Sequence, residues 1–441
     1  MTARTGEPRA PYPRYDAACG WQALLAPRRA APALAADVDA DLAVVGAGYT
    51  GIAAAREWAR LHPQDRVVLL DASIVGEGSP GRNSGFLLEI ALAGDADAGA
   101  VDRMARCNAL IGATMARLRA LVAEHRIDCA LVRSGTYRGA ATARGVAALR
   151  DYQRFLDAAR LPYETLDGGT LARRIGTRYY RFGLYSPDCS LVQPAALIRG
   201  LADCLPESVR MYERTPVLGI ERAASGRWRL QCSNGNVRAT RVVLANNAFA
   251  ARLGVGAARL CTMYTYAALT APLPEQCVQR LGSEREWGLL PAHRLGTTLR
   301  RTGDGRLLVR SLYGYERAAP VQQIAPLLLD CLVRRFPRLE LARLAQPFEH
   351  VWSGATGLTR NGAPLFGERR AGLFVSAGCN GGGVVKGTLF GELIARQAAG
   401  AAIPDVAALF GAASWMPPAP LRRIGFALAA ALERRSAGAE R

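Results

Sequence analysis

Asp41-Leu42-Ala43-Val44-Val45-Gly46-Ala47-Gly48-Tyr49-Thr50-Gly51 is the stretch on which the reading of this chain turns. Residues 41–45 form a short apolar run, as expected of a strand buried on both faces in a parallel sheet. The run ends in G-x-G-x-x-G at 46–51, and a helix is predicted from about Tyr49 to Leu61, stopped by His62-Pro63. A second buried strand, Arg66-Val67-Val68-Leu69-Leu70-Asp71, completes a βαβ unit. The glycine pattern alone is weak. A strand before it, a helix after it and an acid at the end of the next strand make it a dinucleotide-binding fingerprint. Gly46 permits the tight turn, Gly48 lets the backbone approach a pyrophosphate, and Gly51 lets the helix pack on the strand. With Ala47, Tyr49 and Thr50 they form a helix N-terminus whose free N–H groups and dipole favour phosphate. Asp71 is positioned to accept from the ribose hydroxyls and to repel a 2′-phosphate, which argues against NADP.

Just past the second strand and Ala72 comes Gly76-Glu77-Gly78-Ser79-Pro80-Gly81-Arg82-Asn83-Ser84-Gly85-Phe86. Its small residues allow close backbone contact with a ligand, and Ser79, Arg82, Asn83 and Ser84 offer donors to phosphate or ring oxygens. Helical patterns are predicted over 101–125, 145–160 and 194–205, strands over 209–245, and a hairpin over 296–313 that turns at Gly303-Asp304-Gly305. A further buried strand at 372–377 leads into a glycine-rich loop and a helix from about Gly387 to Ala399.

The segment 41–55 followed by G-R-N-S-G-F resembles the D-amino-acid-oxidase/glycine-oxidase superfamily of FAD-dependent oxidoreductases, and the G-R-N-S-G loop is similar to its γ-glutamylputrescine oxidoreductase-like branch. L-V-Q-P-A-A-L-I-R-G-L-A at 191–202, V-L-G-I at 217–220, A-T-R-V-V-L-A-N-N-A at 239–248 and G-L-F-V-S-A-G-C-N-G-G-G-V at 372–384 carry the resemblance through to about residue 400. It implies FAD as cofactor, with Val217 in a middle binding segment and Gly378, Asn380, Gly381, Gly382, Gly383 and Val384 in a C-terminal one. N–H groups of that last segment and the dipole of the helix behind it would stabilise negative charge at the N1/O2 edge of reduced flavin, with Lys386 close enough to help. The reaction implied is hydride transfer from a C–H next to nitrogen to flavin N5, with hydrolysis of the imine and reoxidation by oxygen or another acceptor. Cys379 sits where some members attach flavin covalently, but no attachment motif accompanies it, and it reads as a small free cysteine. The segment Leu87-Leu88-Glu89-Ile90-Ala91-Leu92-Ala93-Gly94 offers no flavin-attaching histidine.

The expected fold is therefore α/β (α+β overall): a Rossmann-type FAD-binding domain with a second, largely antiparallel-sheet substrate domain. The boundaries read as an arm at 1–36, FAD-binding pieces at 37–96, 186–250 and 346–400, substrate-domain pieces at 97–185 and 251–345, and a tail at 401–441. Tyr264, His293, Arg310 and Tyr313 are the catalytic candidates. Tyr264 and Tyr266 share a strand face and would cage an amine cation. Arg310 would grip a substrate carboxylate in a fork, and Trp352 would wall the ring. A hydroxy-acid donor, a non-catalytic flavoprotein and a basic nucleic-acid-associated protein are the competing readings.

Composition narrows these. The formal net charge is +19, yet Lys386 is the only lysine and the arginines are spread along an alanine-rich chain. That pattern reads as codon bias, and no nucleic-acid partner is expected. Ten cysteines without a C-x-x-C pair and four histidines (His62, His125, His293, His350) give no metal-site spacing. Scattered cysteines fit a reducing, cytoplasmic setting. No apolar run is long enough to span a membrane. The basic amphipathic run Leu421 to Arg434 reads as docked on the protein itself, with peripheral membrane contact as the alternative.

Overall fold

The computed structural model describes residues 10–90 and 97–441. Residues 1–9 of the expected arm and 91–96, which include the end of the first FAD-binding piece, lie outside the described residues.

Two eight-stranded sheets organise the chain. The first runs Leu365–Arg370, Leu373–Ala377, Gly235–Leu244, Val38–Val45, Val67–Leu70, Val209–Tyr212, with the hairpin Val217–Arg222 and Trp228–Cys232 added alongside Gly235–Leu244. The opening strand lies at its centre, parallel to Gly235–Leu244 on one side and Val67–Leu70 on the other. Both faces are covered, so alternation divides its residues between two cores. Leu42, Val44, Val67 and Leu69 pack under the helices Tyr49–Leu61, Pro194–Asp203 and Val385–Ala398. Ala43, Val45, Val68 and Leu70 pack with Trp228 and Leu230 of the hairpin. This explains an apolar run without polar alternation.

The second sheet runs His350–Leu358, Cys261–Leu269, Leu307–Tyr315, Thr298–Arg301, Trp287–Pro291, Thr136–Ala140, Phe182–Ser186, Glu164–Asp167. It is antiparallel except where Thr136–Ala140 meets Trp287–Pro291. The expected FAD-binding span 346–400 contains one strand of this other sheet, since His350–Leu358 pairs along the whole of Cys261–Leu269. The helix Val321–Arg335 covers the outer face, its Leu328 and Leu332 sharing a core with Tyr264, Tyr266 and Val309.

The predicted helices form as Val101–Glu124, Ala143–Ala158, Pro194–Asp203, Val385–Ala398 and Ala419–Ala437. Val385–Ala398 lies backbone to backbone on Tyr49–Leu61. A Cβ at Gly391 would sit 2.2 Å from the Thr50 carbonyl, and one at Gly387 would sit 3.1 Å from Thr50 Oγ1. Two small residues one turn apart thus bring the loop 378–384 over the fingerprint turn. Among the described residues no helix is long and apolar enough to cross a membrane.

Candidate active site

The fingerprint turn behaves as its sequence requires. Gly46 has φ +103, a region that penalises any side chain, and its N–H donates to the Leu70 carbonyl at 2.7 Å. A Cβ on Gly51 would lie 1.8 Å from the Gly46 carbonyl oxygen. No side chain caps the helix that starts at Tyr49, and Gly46, Ala47, Gly48, Tyr49 and Thr50 line a cavity of about 410 Å³. The Tyr49 side chain is buried and its hydroxyl donates to the Pro194 carbonyl at 3.2 Å.

Asp71 also lines the cavity, with Ala72 beside it. Its Oδ2 accepts from Ala47 N at 2.8 Å and its Oδ1 from Ser73 N at 2.9 Å, which fixes the carboxylate. Burial pushes its pKa up to about 6. The ionised form is the better acceptor for ribose hydroxyls. FAD affinity is therefore expected to hold above pH 6 and to weaken as the pH falls through 6 and the carboxyl takes up its proton, by at most about tenfold per pH unit. Fluorescence titration of apoprotein across this range checks it, and Asp71→Asn should bind weakly with no pH dependence from this group.

The loop 76–85 corrects one expectation. Its side chains are committed to holding the loop. Arg82 is buried and donates through Nε to Glu77 O at 2.6 Å, through Nη1 to Ser353 O at 2.9 Å and through Nη2 to Ala17 O at 3.0 Å. Asn83 donates to Pro80 O at 2.6 Å and accepts from Gly85 N at 2.8 Å. Ser79 Oγ donates to the Ala355 carbonyl. Ser79, Arg82, Asn83 and Ser84 do line the cavity, but the donors expected from the first three are turned to backbone carbonyls. The reason is that the loop has almost no regular structure of its own and must satisfy its polar groups through side chains. Trp352 adds to this frame. It is fully buried and donates from Nε1 to Arg82 O at 3.1 Å, under the loop and away from the cavity lining. Gly354, two residues along the same face, reaches the cavity instead.

Gly378, Cys379, Gly381, Gly382, Gly383, Val384 and Lys386 also line the cavity, as does Val217. Gly378 and Gly381 have φ of +76 and +86, and a Cβ on Gly381 would meet nothing within 4 Å, so this backbone stands open. Asn380 does not join them. Its amide bridges Thr359 N at 2.9 Å, Gly362 O at 2.8 Å and Gly378 O at 2.7 Å, bracing the loop from behind. Asn247, absent from the candidates, lines the cavity and accepts from Gly378 N at 2.9 Å. It follows a buried strand in A-N-N-A, a signal available in the sequence.

The second sheet presents Thr265, Thr298 and Arg310 to the same cavity. Cross-strand pairing explains the set: Ala267 opposes Arg310, and Arg310 opposes Thr298, so side chains of one face converge. Tyr264 and Tyr266 lie on the other face. Both are buried, and Tyr266 Oη accepts from Ala319 N at 2.6 Å beside the covering helix. The expected aromatic cage does not form in the cavity lining. His293 is also elsewhere: its Nε2 lies 3.1 Å from Glu433 and 3.3 Å from Ser436 Oγ of the C-terminal helix, and burial lowers its pKa. Tyr313 acts at one remove. Its Oη accepts from Arg310 Nη1 at 2.8 Å and donates to Arg294 O at 2.7 Å, which orients the guanidinium.

A contributor missed in the sequence is the arm. Tyr12, Pro13 and Tyr15 line the cavity. The Arg82 guanidinium lies 3.7 Å over the Tyr15 ring, and burial pushes the Tyr15 hydroxyl up to about 12. Arg28 anchors the arm on buried Glu213 at 2.9 Å. A proline-rich segment has no periodicity from which this could be read.

The arrangement fits an elongated dinucleotide. Phosphate-seeking backbone and an acid for ribose lie on one wall, open glycine backbone on a second, and a polar sheet face on a third. The sequence family described as FAD dependent oxidoreductase matches residues 41–397. The chain belongs to that family. It is 26% identical to a probable oxidoreductase OrdL of Rhizobium meliloti (strain 1021), over 86% of this chain and 88% of the relative. It is also 26% identical to gamma-glutamylputrescine oxidoreductase of Escherichia coli (strain K12), over 81% and 83%. The crystal structure of glycine oxidase from Geobacillus kaustophilus superposes with a TM-score of 0.70 at 23% identity, covering 85% of this chain and 98% of that one. The chain is thus an FAD-dependent oxidoreductase, and the two-part fold read from its motifs is the fold of such flavoenzymes.

Proposed function

We propose that this enzyme oxidises the C–N bond of a small amine or amino acid carrying a carboxylate, passing the electrons to oxygen or another acceptor. The observation that carries the reading is Arg310, held by Tyr313 and facing the same cavity as the fingerprint turn. The names of the relatives, gamma-glutamylputrescine oxidoreductase and glycine oxidase, point to the same donor class. FAD, when bound, supplies the hydride-accepting chemistry.

The chain's own residues then bind and orient. Arg310 forks onto the carboxylate, and the hydroxyls of Thr265 and Thr298 lie on the same sheet face to position the amine end. Cys379 reads as a free thiol, with its Sγ 3.2 Å from both Asn247 Nδ2 and Thr356 Oγ1. Among the described residues the cavity-lining acids are Asp71 and Glu77, both from the first sheet's loops, and no imidazole lines it. The ammonium proton of the donor therefore leaves to water, helped by the positive Arg310, which disfavours a second cation nearby. The expected consequence is a kcat/KM that rises about tenfold per pH unit until the donor's amine is neutral. A pH profile that is flat over this range would remove the neutral-amine requirement. Ten free cysteines support a reducing, cytoplasmic setting.

The deciding experiment is anaerobic bleaching of the flavin absorbance against a panel of amines, amino acids and hydroxy acids. Bleaching by a carboxylate-bearing amine is expected. Bleaching by hydroxy acids alone overturns the proposal.

A further inference from the structure

Ten large apolar side chains stand exposed among the described residues, and five of them crowd into one short stretch of the tail: Trp415, Leu421, Ile424, Leu428 and Leu432, at 56%, 62%, 59%, 63% and 70% exposure. The family match ends at residue 397, so this stretch lies outside the segment shared with the family. At about 3.6 residues per turn, the last four fall on one flank of the helix Ala419–Ala437.

A different flank is docked. Phe426 stacks on Tyr315 with centroids 4.4 Å apart, Arg422 donates to the carbonyls of Ala257 and Leu260, and Glu433 pairs with Arg294 and His293. Just beyond the helix, buried Glu440 accepts from Ala141 N at 2.9 Å and Thr142 N at 2.8 Å. The contacts hold the helix on the second sheet's side of the molecule and leave the Leu/Ile flank outward. Glu433 is thus paired on the docked flank and Glu440 is buried, whereas Arg423, Arg434 and Arg435 remain exposed.

We infer that this flank seats on the surface of an anionic phospholipid bilayer. An interfacial helix joins an apolar stripe to a basic face and often an aromatic anchor, and residues 415–435 supply all three. Charge selects the occupant. A second copy of this chain would bring the same arginines and the same +19 against one another, while acidic headgroups complement them. The sequence reading that docked this run on the protein is right for one flank and leaves the other unused.

The test uses full-length, FAD-loaded protein in vesicle flotation, with phosphatidylcholine vesicles and with phosphatidylcholine vesicles containing phosphatidylglycerol. Flotation is expected with the anionic vesicles, falling as salt is raised. Ile424→Asp with Leu428→Asp should weaken it at least about tenfold, and Arg423→Glu with Arg434→Glu by roughly tenfold or more. Both variants should keep wild-type flavin absorbance and elution volume, because none of these side chains is buried. Failure of the wild type to float with either vesicle overturns the inference. So does flotation unchanged in the aspartate variant. A wild-type dimer that this variant converts to monomer, without flotation, assigns the flank to a second copy instead.

Discussion

Gly51→Ala is expected to purify as a colourless protein. The added Cβ would fall 1.8 Å from the Gly46 carbonyl oxygen, and that obstacle is backbone at the tightest point of the turn. Relief requires the helix Tyr49–Leu61 to lift off the strand Val38–Val45, and Val385–Ala398 opposes this because its Gly391 already lies against Thr50. Overpacking of this kind costs about 1–3 kcal/mol of stability. The larger loss falls on FAD, because the first N–H groups of the helix shift relative to the rest of the cavity lining. Gly112→Ala is the matched control: its Cβ would meet nothing within 4 Å, in the helix Val101–Glu124. It should raise stability by up to about 1 kcal/mol and leave flavin content unchanged. Flavin-to-protein absorbance ratios and thermal melts of the two variants decide the matter. A yellow Gly51→Ala protein would show that the turn can open without losing its ligand.

The turn was legible because its constraints are local: a positive φ, a missing Cβ and a fixed distance to the next acid are written in adjacent residues. The same holds for the loop 378–384, where consecutive glycines leave open backbone. What the sequence hides is direction. Period-two alternation pairs Tyr264 with Tyr266 and sets Thr265 against them, but both faces of that strand are covered, by the helix Val321–Arg335 on one side and by Cys19 and Trp21 of the arm with Ala195 on the other. Burial of both faces means that aromatic side chains do not mark the cavity side, and the polar residues Thr265, Thr298 and Arg310 do. His293 was misread for a related reason, since its partners Glu433 and Ser436 lie some 140 residues away on a helix whose docking no local pattern encodes. Arg82 shows the opposite case. Its residue type suits phosphate, yet a loop without regular structure needs a multidentate donor to tie Glu77, Ser353 and Ala17 together, and that need absorbs the guanidinium.

Arg310→Ala should cost about 2–5 kcal/mol in transition-state binding of a carboxylate-bearing donor, or roughly thirtyfold to several-thousandfold in kcat/KM. The prediction rests on position and on support. Arg310 is half-buried, its neighbours Thr265 and Thr298 in the lining are neutral, and its Nη1 is held by Tyr313 Oη at 2.8 Å, itself anchored on Arg294 O. Arg310→Lys should recover only part of the loss, because an ammonium cannot reproduce two parallel hydrogen bonds. Tyr313→Phe leaves the charge in place and frees its orientation. A rise in KM of about fivefold to tenfold, near 1 kcal/mol, is expected there, with little change in kcat. The informative comparison is between donors. An amine without a carboxylate has nothing for the guanidinium to hold, so its kcat/KM should be nearly indifferent to all three substitutions, whereas a general disturbance of the sheet would slow both donors alike. If Arg310→Ala slows the two equally while flavin content stays full, Arg310 is part of the frame and the carboxylate is bound elsewhere. If only the carboxylate-bearing donor suffers, the chain's specificity is set by one arginine on the inner face of the second sheet, with a tyrosine behind it to aim it.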